Sequence, residues 1–301
     1  MSFSVTVPAT TGNLGPGFDC LGAALSIYNC FEFTLADEFK INATGNGADK
    51  VAKNKSNLVY QSLEKLYDKI DRRRPIVQIN IQTEVPLARG LGSSATAIIG
   101  GLMGGNLLAG APLSTSEILQ LAVEIEGHPD NVAPAMLGGC QLATTTKTNA
   151  WDYCAIAWHK KIAIALAIPD FELPTAKARQ VLPKQVNLKD AIFNASHLAL
   201  LTQALTQGKG ELLEIALQDK LHQPYRQSLI PHMEEVQKAA AQAGAYGSVI
   251  SGAGPTLLAL GAPEQIEAIA SAMVNTWQGL GVHAVKKVVA IAHQGTTHQE
   301  I

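Results

Sequence analysis

The stretch Val85-Pro86-Leu87-Ala88-Arg89-Gly90-Leu91-Gly92-Ser93-Ser94-Ala95 places two closely spaced glycines before two serines. An uncharged run rich in Ala, Ile, Leu and Gly follows, to about Ala109. Glycine lets backbone N–H groups converge without a Cβ in the way. The first turn of a helix adds unpaired N–H donors and the positive end of the helix dipole. Such a strand-to-helix turn suits an anion, phosphate above all, with the Ser93 and Ser94 hydroxyls free to contact phosphate or a metal ion. The pattern by itself fits equally well an ordinary turn in which a serine caps the helix.

Two familiar phosphate loops do not match. A Walker A loop needs Lys immediately before its Ser or Thr, and here Gly92 precedes Ser93. Gly90-x-Gly92-x-x-Ala95 resembles a dinucleotide fingerprint, which requires an acid about 20 residues further on. The chain there reads Gly110-Ala111-Pro112-Leu113, with no acid before Glu117.

The elements around this turn can be read from periodicity. Val5-Thr6-Val7 predicts a first strand, which runs into the turn-rich segment Pro8-Ala9-Thr10-Thr11-Gly12-Asn13-Leu14-Gly15-Pro16-Gly17-Phe18-Asp19. Ala24 to Leu35 reads as strand. Leu58 to Ile70 carries apolar residues at helical spacing, with Asn57 placed to cap it. Val77 to Ile81 alternates as a half-buried strand. The run after Ser94 has no polar face and predicts a helix buried on all sides, its glycines admitting close neighbours. Ser114 with Glu117 forms a capping box for a helix to Glu126, which Gly127-His128-Pro129-Asp130-Asn131 ends. A strand is expected near Cys140 to Thr146, and Asn149 to Lys161 is polar and turn-like at its start. Further on come a strand over Ile162–Ile168 and helices near Thr175–Leu182, Leu188–Thr206, Glu211–Leu221 and Met233–Ala243. Strands over Ala245–Ser251 and Thr256–Leu260, a helix from Pro263 to Trp277 and a strand from Val282 to Ala292 complete the chain. Mixed helices and strands predict an α+β protein in two lobes, divided at about 1–158 and 159–301.

Composition excludes several classes. The 301 residues are 47% hydrophobic and 16% charged, ample for a packed core and unlike a disordered chain. With 23 Lys and Arg against 25 Asp and Glu, there is no general nucleic-acid footprint. The single basic run, Arg72-Arg73-Arg74, lies beside Pro75 and reads as a solvated turn. No apolar stretch reaches the roughly 18 residues of a membrane span, and the N-terminus lacks a signal-peptide pattern. Cys20, Cys30, Cys140 and Cys154 show neither metal-ligand spacing nor a disulfide framework, so a cytoplasmic location is expected.

Pro86-x-x-x-Gly90-Leu91-Gly92-Ser93-Ser94-Ala95 resembles the ATP loop of the GHMP kinase family. The segment Pro8 to Asp19, together with Glu126-Gly127-His128-Pro129-Asp130-Asn131-Val132-Ala133-Pro134-Ala135 and Ser251-Gly252-Ala253-Gly254-Pro255-Thr256, resembles the branch of that family that acts on L-homoserine. Gly12 and Thr96 depart from it, both standing where Ala is common. The resemblance implies an N-terminal lobe like the second domain of ribosomal protein S5, a ferredoxin-like C-terminal lobe and a site between them. It implies transfer of the ATP γ-phosphoryl group to the homoserine hydroxyl, a step toward threonine, with Mg²⁺ as cofactor and a homodimer as the assembly.

The same resemblance implies residue roles. Pro86, Leu87, Ala88, Arg89, Gly90, Leu91, Gly92, Ser93, Ser94, Ala95 and Thr96 would hold ATP, with Asn57 near the adenine. Ser94 and Glu126 would bind Mg²⁺. Arg179 and Arg226 would take the substrate carboxylate, since the guanidinium fork matches two oxygens. Asn13, Asp19, His128, Asn131 and Thr175 would receive its ammonium and hydroxyl groups. Catalysis would rest on Asn13, Asp19, Ser94 and Glu126, with Asp130 a site residue rather than an assigned base.

Overall fold

The computed structural model describes residues 1–301. The first sheet and its helices comprise β1 (Ser2–Gly12), β2 (Leu21–Leu35), β3 (Lys40–Gly45), α1 (Leu58–Lys69), β4 (Val77–Thr83), α2 (Ser93–Leu108), α3 (Thr115–Glu126), α4 (Pro129–Leu137), β5 (Cys140–Thr145) and β6 (Trp151–Ile156). The second part holds β7 (Ala163–Pro169), α5 (Thr175–Gln180), α6 (Leu188–Gln207), α7 (Gly210–Ala216), α8 (Gln223–Arg226), α9 (Met233–Gln242), β8 (Gly247–Ile250), β9 (Leu257–Gly261), α10 (Ile266–Gly279) and β10 (Ala284–Val289). A last strand, β11 (Thr297–Glu300), returns to the first sheet beside β1.

The first sheet runs β11-β1-β2-β4-β3, with β5 and β6 continuing from the early part of β2. All its pairs are antiparallel except β3 with β4. Past Leu25, β2 alternates, turning Ile27, Phe31 and Phe33 into the core. The glycine-rich α2 lies on that face. A Cβ at Gly100 would collide with the Phe31 ring, one at Gly104 with the Phe33 ring, and one at Gly101 with the α1 backbone carbonyl of Val59. The glycines weaken the helix but let it sit directly between sheet and α1.

The second sheet runs β10-β7-β9-β8, all antiparallel. Numbered along the chain within that sheet, the order is 4-1-3-2, that of a split β-α-β. Its alternating strands feed two cores. Ala165, Ala167, Leu257 and Ala259 pack under α9 and α10. Ile164, Leu166, Leu258 and Leu260 face α6 and α7 and join Ala9, Leu21, Leu25, Val85 and Leu91 from the first part. The middle core therefore belongs to both lobes.

Most elements fall where periodicity puts them, and four readings need correction. The first strand does not give way to turns at Pro8: β1 continues through Gly12, paired with β2 along that length. The segment after Gly127 does not merely end α3: Pro129 opens α4, occupying the first helical position where its missing N–H is harmless. The polar stretch after Asn149 contains strand β6, and β3 and β11 carry too few alternating apolar residues to be read. The helix expected to Leu221 stops at Ala216. Arg74 pairs with Asp68 and Glu64 at the surface, consistent with a solvated turn. No helix is long and apolar enough to cross a membrane.

Candidate active site

The N-terminus of α2 opens into a cleft between the two sheets. Its cap residue is Gly92, at φ +68°, with no side chain accepting from the first turn and no acid in that turn. A serine cap is therefore absent, and the leading N–H groups stay available. Gly90, also left-handed at φ +74°, packs so closely on the second lobe that a Cβ would strike the Ser251 carbonyl. The loop is fastened across the cleft by backbone. Ser251 Oγ donates to the Gly90 carbonyl at 2.7 Å, Leu173 N–H to that of Ala88 at 3.1 Å, and Thr256 N–H to that of Arg89 at 3.3 Å.

The expected phosphate-loop residues divide by role. Ala88, Gly90, Gly92, Ser93 and Ser94 line the cleft. Leu91, Ala95 and Thr96 are buried behind it. Thr96 Oγ1 accepts from Asn29 Nδ2 at 2.9 Å, while Asn29 Oδ1 accepts the Glu84 and Val85 N–H groups, tying helix start to loop start. The Arg89 guanidinium turns away from the cleft, onto the Pro169 and Asp170 carbonyls. Pro86 lies on that same outer side, beside Lys50 and Glu172. A second, more apolar recess adjoins the first through Ala88, Ser93 and Ser94 and includes Phe31, Val51 and Asn57. The Asn57 side chain is engaged there as helix cap, accepting from Val59 N–H and donating to the Ala52 carbonyl.

Ser94 Oγ donates to Glu126 Oε2 at 2.6 Å, joining the first turn of α2 to the last residue of α3. Burial raises the Glu126 pKa, opposed by the Ser94 bond and the nearby His128. Two hard oxygens, the Ser94 hydroxyl and the Glu126 carboxylate, lie together at the open N-terminus of α2, a donor set that fits Mg²⁺.

Across the cleft, Arg179 from α5 grips Asp19 with two bonds, of 2.7 and 3.0 Å. That bidentate contact holds the guanidinium pKa above its ordinary value. Arg226 is 1% exposed and its pKa is pushed down to about 10, chiefly by burial and then by Arg179. Both guanidiniums lie over the Phe18 ring, 5.7 and 5.4 Å from its centre. Phe18 supports the two arginines without lining the cleft, and motif reading passes over it because an aromatic in a turn carries no spacing signal.

His128, Asp130 and Asn131 come from the start of α4. His128 Nδ1 bonds Asp130 Oδ1. Burial alone would lower the His128 pKa, but the Asp130 bond and charge outweigh it and raise the value. Asp130 Oδ2 is buried with no partner, and Gly12 lies so near that a Cβ there would overlap it. Asn131 Oδ1 accepts from Thr10 at 2.8 Å. Asn13 accepts from Asp19 N–H and donates to the Gly252 carbonyl, bridging the lobes. Thr175 also lines the cleft, as do Gly252 and Ala253, which sequence reasoning quoted only as motif.

Comparison with known proteins decides the lineage. The GHMP kinases N terminal domain family matches residues 57–139 and the GHMP kinases C terminal family matches 201–279. A homoserine kinase of Trichormus variabilis is 56% identical over 98% of each chain. The chain belongs to the homoserine kinase branch of the GHMP kinase family. A Synechococcus homoserine kinase is 53% identical, covering 98% of this chain and 97% of its own. Among solved structures, a homoserine kinase from Cytophaga hutchinsonii superposes with a TM-score of 0.87 at 29% identity, over 99% of this chain and 97% of that one. A mevalonate kinase, at 15% identity and a TM-score of 0.70, shares the fold. The α+β fold in two lobes is thus that of the GHMP kinases.

Proposed function

We infer that the protein is an ATP-dependent homoserine kinase, forming O-phospho-L-homoserine and ADP. Near-full-length identity to homoserine kinases supports the reaction. Its physical basis is one arrangement: an open helix N-terminus, two guanidiniums that both lie over Phe18, and the Asp19, Glu126 and Asp130 carboxylates share one cleft. That arrangement suits a triphosphate at one end and a zwitterionic amino acid at the other.

In this reading the loop Gly90–Ser94 carries the ATP phosphates and the apolar recess behind it takes the base, with Asn57 at its edge. The middle expected loop residues, Leu91, Ala95 and Thr96, act as its support. The substrate carboxylate engages Arg179 and Arg226. Its ammonium takes Asp19, and Asp130 supports the pocket through its bond to His128. Asn13, His128, Asn131 and Thr175 complete the pocket. Ser94 and Glu126 hold Mg²⁺, which when bound supplies charge to the triphosphate oxygens. The hydroxyl oxygen bonds to the γ-phosphorus as the bond from that phosphorus to the β,γ-bridging oxygen breaks; ADP leaves with the bridging oxygen and the hydroxyl proton is released to solvent. A loose transition state lets positioning and charge carry most of the rate.

The division at 158/159 and a cytoplasmic homodimer belong to the same reading, supported by the family resemblance; light scattering on the purified protein tests the dimer. A coupled assay of ADP release with homoserine, mevalonate, galactose and shikimate tests the reaction. Turnover restricted to homoserine is expected. Turnover with another of these alcohols alone would reject the substrate.

A further inference from the structure

His222 sits at the first step of α8, fully buried, and belongs to none of the groups assigned above. Its Nε2 lies 2.8 Å from the Gly15 carbonyl, which can only accept, so Nε2 carries the hydrogen. Its Nδ1 lies 3.2 Å from Arg226 Nη1, which can only donate, so Nδ1 carries the lone pair. A single neutral tautomer satisfies both contacts. Burial, with the charge of Arg226, keeps the ring pKa low enough for that form, against the pull of Asp219.

The ring is itself held. Asp219 accepts the N–H groups of Leu221, His222 and Gln223 and the Asn194 side-chain amide, at 2.7 to 2.9 Å. This pins the backbone from which His222 projects. The imidazole also stacks on Phe18 at 5.2 Å, the ring that both arginines lie over.

Arg226 is correspondingly constrained. Its Nε donates to the Ala178 carbonyl at 3.2 Å, and Nη1 divides its hydrogens between Gly252 and His222. No protein acceptor takes a hydrogen from Nη2. The guanidinium thus has one uncommitted edge in a pocket-lining residue. Gly15 lies between Asn13 and Asp19 in the first lobe, so the histidine links that loop to the arginine of the second.

We propose that His222 is a positioning residue for homoserine: it accepts from Arg226 Nη1, donates to Gly15, and so fixes the guanidinium edge that meets the substrate carboxylate. The proposal rests on Arg226 being a carboxylate ligand. His222 acts through Arg226 and need not touch substrate itself.

A double-mutant cycle on the full-length enzyme tests it, reading KM for homoserine and for ATP separately. His222→Leu removes both contacts and should raise the homoserine KM roughly tenfold, with the ATP KM changing less than about twofold. His222→Asn places an amide oxygen near the Nδ1 position and should recover most of that loss. In an Arg226→Ala background, His222→Leu should add nothing, since the group it orients is gone. Parallel increases in both KM values, an Asn variant as impaired as Leu, or additive losses in the double variant would each overturn the proposal. Should Arg226→Ala alone leave the homoserine KM unchanged, the carboxylate assignment fails and the positioning role falls with it. Should Arg226→Ala raise it while His222→Leu does not, the assignment stands and only the positioning role fails.

Discussion

Glu126→Gln should make the empty enzyme more stable at alkaline pH while impairing it as a catalyst. Burial raises the Glu126 pKa above its ordinary value, against the Ser94 bond and His128. An acid whose pKa rises on folding holds its proton more tightly in the folded state. Its contribution is therefore favourable below the unfolded value and is lost as pH climbs through the folded one. Glutamine does not titrate, and its carbonyl can still accept the Ser94 hydroxyl, which now donates at 2.6 Å. An incompletely satisfied buried polar group costs about 1–3 kcal/mol. Glu126 is only partly buried, which places the gain near 1 kcal/mol and, for a chain of 301 residues, the shift in Tm at about 1–2 °C. Calorimetry in chelator from pH 5 to 8, without nucleotide, reads this directly: the wild type should lose ground to the variant as pH rises. Turnover with Mg²⁺ should fall at least tenfold. A variant less stable than wild type at pH 8 would refute the reasoning, because the carboxylate would then be content without a cation.

Arg179→Ala should raise the homoserine KM about 10- to 100-fold and the ATP KM little, since one charged bidentate contact is removed; equal effects would take Arg179 out of the carboxylate pocket. Its stability cost should stay below about 1 kcal/mol, because the Asp19–Arg179 pair is about one-third exposed, and denaturant titration checks this. Gly12→Ala pushes a methyl group into Asp130 and should destabilise by about 1–3 kcal/mol and weaken homoserine binding, measured by Tm and KM together. Gly104→Ala meets the Phe33 ring, so in spite of better helix propensity it should lower Tm with little change in either KM.

What could be read ahead of the structure follows from how local each signal is. The capping box at Ser114, the Asn57 cap and the glycine-bearing α2 are written in neighbouring residues, and all three appear. The glycine-serine turn at the head of α2 was legible for the same reason. Strands β3 and β11 are specified by distant partners, β4 and β1, and carry no run of alternating apolar residues of their own. Helix α4 was hidden because Pro129 and Pro134 look like breakers, although the first occupies a permissive position. Within the site, residue types suggested Arg179 and Asp19 separately; only the fold shows them paired across 160 residues of sequence. Arg89 stands inside the loop motif, yet its side chain serves the opposite lobe. Phe18 and His222 gain meaning only from their neighbours in the fold, Phe18 from what stacks on it and His222 from its bonds to Gly15 and Arg226.

The turn at the mouth of α2 is bolted by main-chain atoms to Ser251, Leu173 and Thr256. Hinge-like gaping of the two halves would break these bonds and distort the turn itself, so on the proposed reading both substrates enter without such a movement. On the loop side every acceptor is a peptide carbonyl, and two of the three donors are peptide N–H groups. The acceptor end, by contrast, is drawn in side chains. On the proposed reading, a lineage could therefore retune which alcohol is admitted by swapping those side chains, while the turn beneath stays unchanged.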